Sequence, residues 1–183
     1  NERTLYLCEN PYAISKATGE YLINLYKKLK IIDGIIVQPV AHIGPGQSKE
    51  FSISSFAYQI AQLEKDDKNE LFVGNLDIVR DIVDVRDVVK FYKFLITNKP
   101  KEFEKSILAS GKEYNYQDVV EQLISLSKRK DIKITIDKKR LRAIDIKYLV
   151  ASHAYTMSKL RWHPEIPIEK TLLDILNYWR KHI

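Results

Sequence analysis

Tyr12 and Lys16 are the residues of this chain whose types and spacing most directly suggest chemistry. They are four positions apart in a segment with helical periodicity, so both side chains are expected on one face of a helix. An ammonium group beside a phenol favours the phenolate, which suits proton transfer to a carbonyl or from an alcohol. The same spacing recurs at Tyr26/Lys30 and Tyr155/Lys159, so spacing alone also fits an ordinary helix-surface pair.

Two arginines are candidates for binding phosphate, because a guanidinium stays charged and can bind phosphate oxygens in a bidentate manner. Arg80 lies in a strand-like segment, where an ion pair with Asp77 or Asp81 is the alternative interpretation. Arg142 ends a basic stretch, where an ordinary solvated position is the alternative. The residue types alone leave both interpretations open.

The composition restricts the class of protein. The chain has 183 residues, of which 45% are hydrophobic, and a formal net charge of +6, so it can bury a core. A single Cys argues against a disulfide scaffold, and with four scattered His it gives no pattern for a metal site. No apolar run is long enough to span a membrane, and no signal peptide is recognisable. We therefore expect a cytoplasmic protein without a metal or a membrane partner.

The positive charge is dispersed along the chain rather than concentrated in one stripe. The densest clusters, at 128–130 and 138–142, contain no interleaved aromatic residues. Nucleic-acid-binding modules normally combine a concentrated positive surface with a motif, so we expect a solvated face or an anion site and no nucleic-acid partner. The nucleic-acid alternative would show a steep salt dependence of binding.

Short alternating helices and strands predict an α/β fold for the whole chain. Asn10 and Pro11 begin a predicted helix over 12–30. Further helices are predicted over 51–64, over 85–96 with Asp84 as N-cap, after Asn115 and after Pro167. Strands are predicted over 35–37, 71–73, 79–83, 106–109 and 132–136, and the strand over 79–83 is expected to be half-buried. Residues 138–163 are predicted to be irregular. The loop over 38–50 leaves the carboxyl end of a buried strand, where open α/β sheets bind ligands.

Four segments resemble one known family in the same order. The first, Asn-Pro-Tyr-Ala-Ile-Ser-Lys-Ala-Thr-Gly-Glu at 10–20, closely resembles the active-site helix of extended short-chain dehydrogenases/reductases, which include nucleotide-sugar epimerases, dehydratases and reductases. The others lie at 38–47, 74–89 and 162–180. Within the family, the loop His-Ile-Gly-Pro-Gly-Gln at 42–47 is most similar to members that reduce GDP-4-keto-6-deoxyhexoses, and next to GDP-mannose 4,6-dehydratases.

The resemblance implies a role for each residue that matches a family motif. Tyr12 would be the catalytic acid/base, and Lys16 would activate it and bind the cofactor ribose. Four residues, Pro39, Val40, Ala41 and His42, would lie along the nicotinamide half of NAD or NADP, although a capped loop histidine remains the alternative for the last. Substrate-binding roles would fall to Gln47, Arg80, Arg142 and Asp145, with the two arginines on the diphosphate of a GDP-sugar and the carboxylate on a sugar or ribose hydroxyl.

The resemblance also implies an architecture. It predicts the C-terminal portion of an NAD(P)-binding Rossmann domain plus a small mixed α/β substrate-binding domain. Residues 1–40 would belong to the Rossmann part and 41–183 mainly to the substrate part, with 75–104 returning to the Rossmann part. A homodimer is expected, because relatives dimerise through the helix that corresponds to the one carrying Tyr12.

The chain departs from the family pattern at several positions. It contains no clustered glycine motif for a cofactor pyrophosphate and no Ser or Thr at the family's distance before Tyr12. We therefore expect the cofactor-binding half to precede Asn1 and this chain to be inactive by itself. Gln38, Ala41 and Ala143 stand where the family usually has Arg, Asn and Pro.

The expected function of the full-length protein is NAD(P)H-dependent reduction of the C4 keto group of a GDP-4-keto-6-deoxyhexose in nucleotide-sugar biosynthesis. A GDP-mannose 4,6-dehydratase or another nucleotide-sugar epimerase or dehydratase is one alternative. A non-catalytic sugar-nucleotide-binding or scaffold protein is another, favoured by the departures at Gln38 and Ala41.

Overall fold

The computed structural model describes residues 1–2, 4, 6–100, 103–141 and 145–183. Six α-helices are present in these ranges: α1 Pro11–Lys28, α2 Ser52–Leu63, α3 Val85–Asn98, α4 Tyr116–Leu126, α5 Ala154–Leu160 and α6 Ile168–His182. Nine short strands accompany them: β1 Ile36–Pro39, β2 Ala41–Ile43, β3 Glu70–Val73, β4 Val79–Arg80, β5 Ile82–Asp84, β6 Lys105–Leu108, β7 Tyr114–Asn115, β8 Lys133–Ile136 and β9 Tyr148–Leu149. Within the same ranges, one 3-10 turn spans Lys138–Arg140.

Most strand pairs in the described residues are parallel, which confirms the α/β prediction. Strand β1 pairs with β6, β2 with β5 and β3 with β8, each in parallel. Strand β4 lies between β7, which is antiparallel to it, and β9, which is parallel to it. Parallel pairs require crossover connections, and helices provide them in this chain.

Two hydrophobic cores hold these elements together. The larger lies among α2, α4, α6 and the β3–β8 pair, and α2 packs directly against α6. The smaller joins α3 to the β1–β6 pair and to the end of α5; its buried members include Val88, Phe91, Leu95 and Leu108, with Trp162 packed against them. Each core is built from amphipathic helix stripes that cover apolar strand residues.

Helix α1 forms as the sequence predicts, but it contains no buried residue. Asn10 caps it, because its side-chain Oδ1 accepts a hydrogen bond from the Ala13 amide at 2.9 Å, and Pro11 occupies the first turn. Its apolar side chains stay largely exposed, among them Tyr21, Leu22, Leu25 and Tyr26. Helix formation is therefore encoded locally, while the apolar faces lack a covering element within the described residues.

Two predictions about local structure were wrong. The strand over 79–83 divides at Asp81 into β4 and β5, because β4 pairs with β7 and β9 whereas β5 pairs with β2. The buried Asp81 carboxylate at the division accepts hydrogen bonds from the Ser110 and Gly111 amides at 2.9 Å. Burial does not alternate along either piece, since both residues of β4 are partly buried and all three residues of β5 are buried. The segment 138–163 is not simply irregular, because it contains the 3-10 turn, β9 and α5.

Candidate active site

Tyr12 and Lys16 occupy the first two turns of α1. Lys16 Nζ lies 5.4 Å from the centre of the Tyr12 ring, and 71% of Tyr12 is exposed. The pair at Tyr26 and Lys30 differs, because α1 ends at Lys28 and Lys30 has a left-handed backbone with φ of 57°. The Lys16 ammonium therefore lies beside the Tyr12 ring, and the Tyr12 side chain is open to solvent.

The segment from Pro39 to His42 leaves the carboxyl end of β1 and continues as β2. The Val40 amide donates to the Leu108 carbonyl at 3.0 Å, which holds the segment against the end of β6. The His42 ring is capped, because its Nδ1 lies 3.1 Å from the Val40 carbonyl oxygen. Ala41 and His42 are both exposed, so this edge can be reached by a ligand.

Gln47 connects this edge to the start of α2. Its Nε2 donates to the His42 carbonyl at 3.1 Å, and its own carbonyl accepts a hydrogen bond from the Ser54 hydroxyl at 2.7 Å. Gln47 Oε1 is buried and has no hydrogen-bond partner.

Arg80 and Asp145 lie together in a cleft of about 760 Å³ between α2 and the ends of β3 and β4. Arg80 Nη2 is 3.2 Å from Asp145 Oδ1, and both side chains are mostly buried. The other Asp145 oxygen accepts from Asn75 Nδ2 at 3.2 Å. Arg80 does not pair with Asp77 or Asp81, which were the alternatives suggested by the sequence. Asp77 pairs with Lys147 instead, and the Asp81 carboxylate accepts from the Ser110 and Gly111 amides.

Arg140 is a second arginine in this cleft, and no motif in the sequence marks it as a site residue. Its Nη1 donates to Ser55 Oγ at 3.1 Å, and its Nε is 3.6 Å from Asp137 Oδ2. The side chain is 41% exposed, which leaves donors free toward the cleft. Arg140 lies in a basic stretch that is predicted to be irregular, so the sequence does not indicate that it lines a cleft.

Aromatic and amide side chains form much of the remaining wall. Tyr58 lines the cleft beneath Lys49, whose Nζ is 4.9 Å from the ring centre, and packs edge-on against Trp179. Gln59 exchanges two hydrogen bonds of 3.0 Å with the Phe72 backbone, so its amide acts like a neighbouring strand. The cleft thus combines two guanidinium groups with flat, partly apolar surfaces, a lining suited to a phosphorylated ligand that carries a ring.

The structure brings some of the predicted site residues together and separates others. Arg80 and Asp145 share the cleft, and His42 and Gln47 share a hydrogen bond. The residues that line the cleft do not include Tyr12, Lys16 or the segment 39–42. Arg142 lies outside the described residues.

The described residues fit one half of a nicotinamide dinucleotide. An exposed phenol, an adjacent ammonium and an exposed strand end offer the donors and acceptors that a ribose and a carboxamide require. A glycine-rich turn before a helix, which would seat a pyrophosphate, is not part of the 183 residues. In the part of the chain that the structure describes, no group of three His, Cys, Asp or Glu residues is arranged to hold a metal ion. No helix among the described residues combines the length and the apolarity needed to cross a bilayer.

The comparisons with known proteins agree with this geometry. The sequence family described as GDP-mannose 4,6 dehydratase matches residues 1–175. The chain therefore belongs to this family of nucleotide-sugar enzymes, within the short-chain dehydrogenases/reductases, as the motifs predicted. The match confirms the family and the α/β fold class together.

Individual relatives are similar over nearly the whole chain. The GDP-6-deoxy-D-mannose reductase of Pseudomonas aeruginosa is 33% identical over 178 residues, which are 95% of this chain and 57% of the relative. The GDP-6-deoxy-D-talose 4-dehydrogenase of Aggregatibacter actinomycetemcomitans is 31% identical over 118 residues, or 64% of this chain and 38% of the relative.

Solved structures give the same result. RMD from Pseudomonas aeruginosa complexed with NADPH superposes with a TM-score of 0.91 at 31% identity, covering 100% of this chain and 60% of that one. A protein described as a putative epimerase from Burkholderia cenocepacia superposes with a TM-score of 0.85 at 27% identity, covering 99% of this chain and 57% of that one. The chain thus spans roughly three fifths of the length of these relatives.

Proposed function

We propose that the protein to which this chain belongs reduces the C4 keto group of a GDP-4-keto-6-deoxyhexose with NADH or NADPH. The observation that carries the proposal is the Tyr12–Lys16 pair at the exposed start of α1, in a chain that also carries a cleft with two arginines. The name of the Pseudomonas aeruginosa relative, GDP-6-deoxy-D-mannose reductase, supports the choice of sugar nucleotide. The family described as GDP-mannose 4,6 dehydratase supports a GDP-sugar more generally.

The chemistry follows from the two side chains on α1. When bound, the nicotinamide cofactor supplies a hydride. Tyr12 donates its phenolic proton to the carbonyl oxygen as that oxygen gains negative charge. Lys16, with its ammonium 5.4 Å from the Tyr12 ring, stabilises the phenolate left behind. Lys16 and the segment 39–42 would hold the nicotinamide half of the cofactor.

The cleft supplies the substrate-binding part of the proposal. Arg80 and Arg140 offer two guanidinium groups for a diphosphate, and Arg142 stays a candidate from its motif. Asp145 fixes the Arg80 guanidinium through the 3.2 Å contact and retains lone pairs for a sugar or ribose hydroxyl. Gln47 stays a substrate-binding candidate from its motif, at the end of the loop that begins at His42.

The architecture and assembly are part of the same proposal. The smaller core, which joins β1, α3 and β6, would be the C-terminal part of a Rossmann domain, and the larger core would be the substrate domain. The pyrophosphate cradle would come from outside the 183 residues, so these residues alone are expected not to bind a dinucleotide tightly. The exposed apolar side chains of α1 support a homodimer, and a cytoplasmic location suits the proposed reaction.

A 4,6-dehydratase is the second candidate, because the matching family carries that description. A dehydratase removes water from the sugar and returns its cofactor to the starting redox state, whereas a reductase consumes NAD(P)H and leaves two hydrogens in the product. The two reactions therefore differ in cofactor stoichiometry.

An isotope-transfer measurement tests the proposal. The intact gene product is incubated with GDP-4-keto-6-deoxymannose and NADPH that carries deuterium at both C4 positions of the nicotinamide. We expect one deuterium at C4 of the sugar and one cofactor oxidised per product. In a parallel incubation with GDP-mannose, conversion without a net change in the redox state of the cofactor would support the dehydratase instead. Binding of GDP-sugar without turnover in both incubations would support a non-catalytic binding protein.

A further inference from the structure

A partly buried polar cluster joins α1 to the β1–β6 pair. The Glu20 carboxylate receives Lys105 Nζ on one oxygen and Gln38 Nε2 on the other, both at 2.8 Å. The Glu20 and Lys105 side chains are 11% and 21% exposed. The Tyr6 hydroxyl contacts the same carboxylate and accepts hydrogen bonds from Lys105 and Gln38, both at 2.6 Å.

We propose that Glu20 is a positioning residue for the reaction, which fixes the Tyr12–Lys16 face of α1 against the two strands. The inference rests on the proposed function, because it assigns Glu20 a role in the orientation of the proton donor. Glu20 touches neither substrate nor cofactor in this account. It acts through the helix that carries Tyr12.

Spacing along α1 gives Glu20 this role. Tyr12, Lys16 and Glu20 are separated by four residues each, so they share one stripe of the helix. The short connection 29–35 leads from α1 into β1, so helix and strand run in opposite directions. The Tyr12 end of α1 and the Pro39 end of β1 therefore lie at the same end of the unit, with Glu20 and Gln38 as the contact that sets their relation.

Packing does not take over this task in the described residues. Helix α1 has no buried residue, and each described side-chain hydrogen bond from α1 to the strands ends on Glu20. Among the described residues, Glu20 is therefore the polar contact that joins α1 to β1 and β6. A shift of about 1 Å in a reacting group can lower a rate by about a hundredfold.

The cluster also keeps Lys16 available. A free carboxylate one helical turn from Lys16 would attract its ammonium away from Tyr12. Lys105 and Gln38 each donate to one of the two Glu20 oxygens. Lys105 also balances the negative charge of the carboxylate, which the neutral Gln38 cannot do. Burial favours neutral Lys105, but its hydrogen bonds to Glu20 and Tyr6 outweigh burial and raise the Lys105 pKa.

The test compares variants of the intact gene product in the reduction of GDP-4-keto-6-deoxymannose by NAD(P)H. For Glu20→Gln we expect kcat to fall about tenfold or more while KM for the sugar nucleotide changes less than about threefold, since the cleft is untouched. The control is Glu165→Gln, which removes an exposed ion pair with Lys90 of 3.2 Å and should leave kcat unchanged. Circular dichroism and urea unfolding establish that each variant is folded.

A rescue experiment separates positioning from general stability. Lys105→Ala should lower kcat as Glu20→Gln does, and adding Gln38→Arg should restore at least half of the lost activity, because the new cation replaces a group 2.8 Å from Glu20. If Glu20→Gln does not fold, the comparison of Lys105→Ala with and without Gln38→Arg replaces it as the test. A folded Glu20→Gln with wild-type kcat, or an absence of rescue, overturns the inference alone. A wild-type protein without reductase activity overturns the proposed function and this inference with it.

Discussion

Gly74 lies directly beneath the backbone of Arg140. A Cβ at position 74 would stand 2.7 Å from the Arg140 carbonyl oxygen, closer than real side chains approach. The glycine that ends β3 therefore allows the 3-10 turn to lie against it. That contact places the Arg140 guanidinium within 3.1 Å of Ser55 Oγ on α2, at the wall of the cleft.

Replacing Gly74 by Ala should displace the turn and weaken nucleotide binding. Overpacking of this kind costs about 1–3 kcal/mol, so we expect lower stability and a larger Kd for GDP by isothermal titration calorimetry. The control is Gly34→Ala, where no atom lies within 4 Å of the added Cβ. Unchanged GDP binding by Gly74→Ala would show that the position of the turn does not matter to the cleft.

Arg140 itself should contribute directly to diphosphate binding. A hydrogen bond to a charged group contributes about 1.5–3 kcal/mol, so Arg140→Gln should raise the Kd for GDP by about tenfold to a hundredfold. Raising the salt concentration should reduce the difference between variant and wild type. Lys93→Gln, which removes an exposed cation on α3 outside the cleft, is the matched control. Equal affinities for the two variants would remove Arg140 from the binding site.

Glu64 should make the part of the chain around the larger core sensitive to acid. Burial disfavours its charged form, but hydrogen bonds from Arg180, the Lys128 amide and Ser127 outweigh burial and lower the Glu64 pKa to about 2. Because the pKa is lowered on folding, the stabilisation is present at neutral pH and is lost as the pH falls from about 4.5 toward 2.

The Glu64→Gln variant tests this contribution. Removing one partner of a buried ion pair costs about 3 kcal/mol or more, so the variant should be less stable than wild type in urea at pH 7. The difference between the two proteins should narrow as the pH falls below 4.5. A difference that is independent of pH would mean that the ionised Glu64 carboxylate is not the stabilising group.

Helices and their caps could be predicted from the sequence because their signals are local. Asn10, Asp84 and Asn115 each cap the helix that follows them, as their positions before periodic apolar residues predicted. Val88 and Leu95 are buried on α3 as their spacing predicted, whereas Val89 and Tyr92 of the same predicted stripe are exposed.

Contacts between distant residues could not be predicted in the same way. The predicted strand over 79–83 divides at Asp81 because its two pieces pair with strands that are distant in sequence. Arg80 pairs with Asp145 rather than with an adjacent aspartate for the same reason. The motif resemblance supplied the candidates Arg80 and Asp145, but Arg140 has no motif, and only the packing of its turn on Gly74 brings it to the cleft.

The most direct test of the account is the effect of removing one oxygen from Tyr12. The intact gene product and its Tyr12→Phe and Tyr26→Phe variants are compared for the reduction of GDP-4-keto-6-deoxymannose by NAD(P)H. Because general acid catalysis contributes about 10²- to 10⁴-fold, kcat should fall at least a hundredfold in Tyr12→Phe and stay unchanged in Tyr26→Phe. A folded Tyr12→Phe protein that retains wild-type kcat would contradict the central claim.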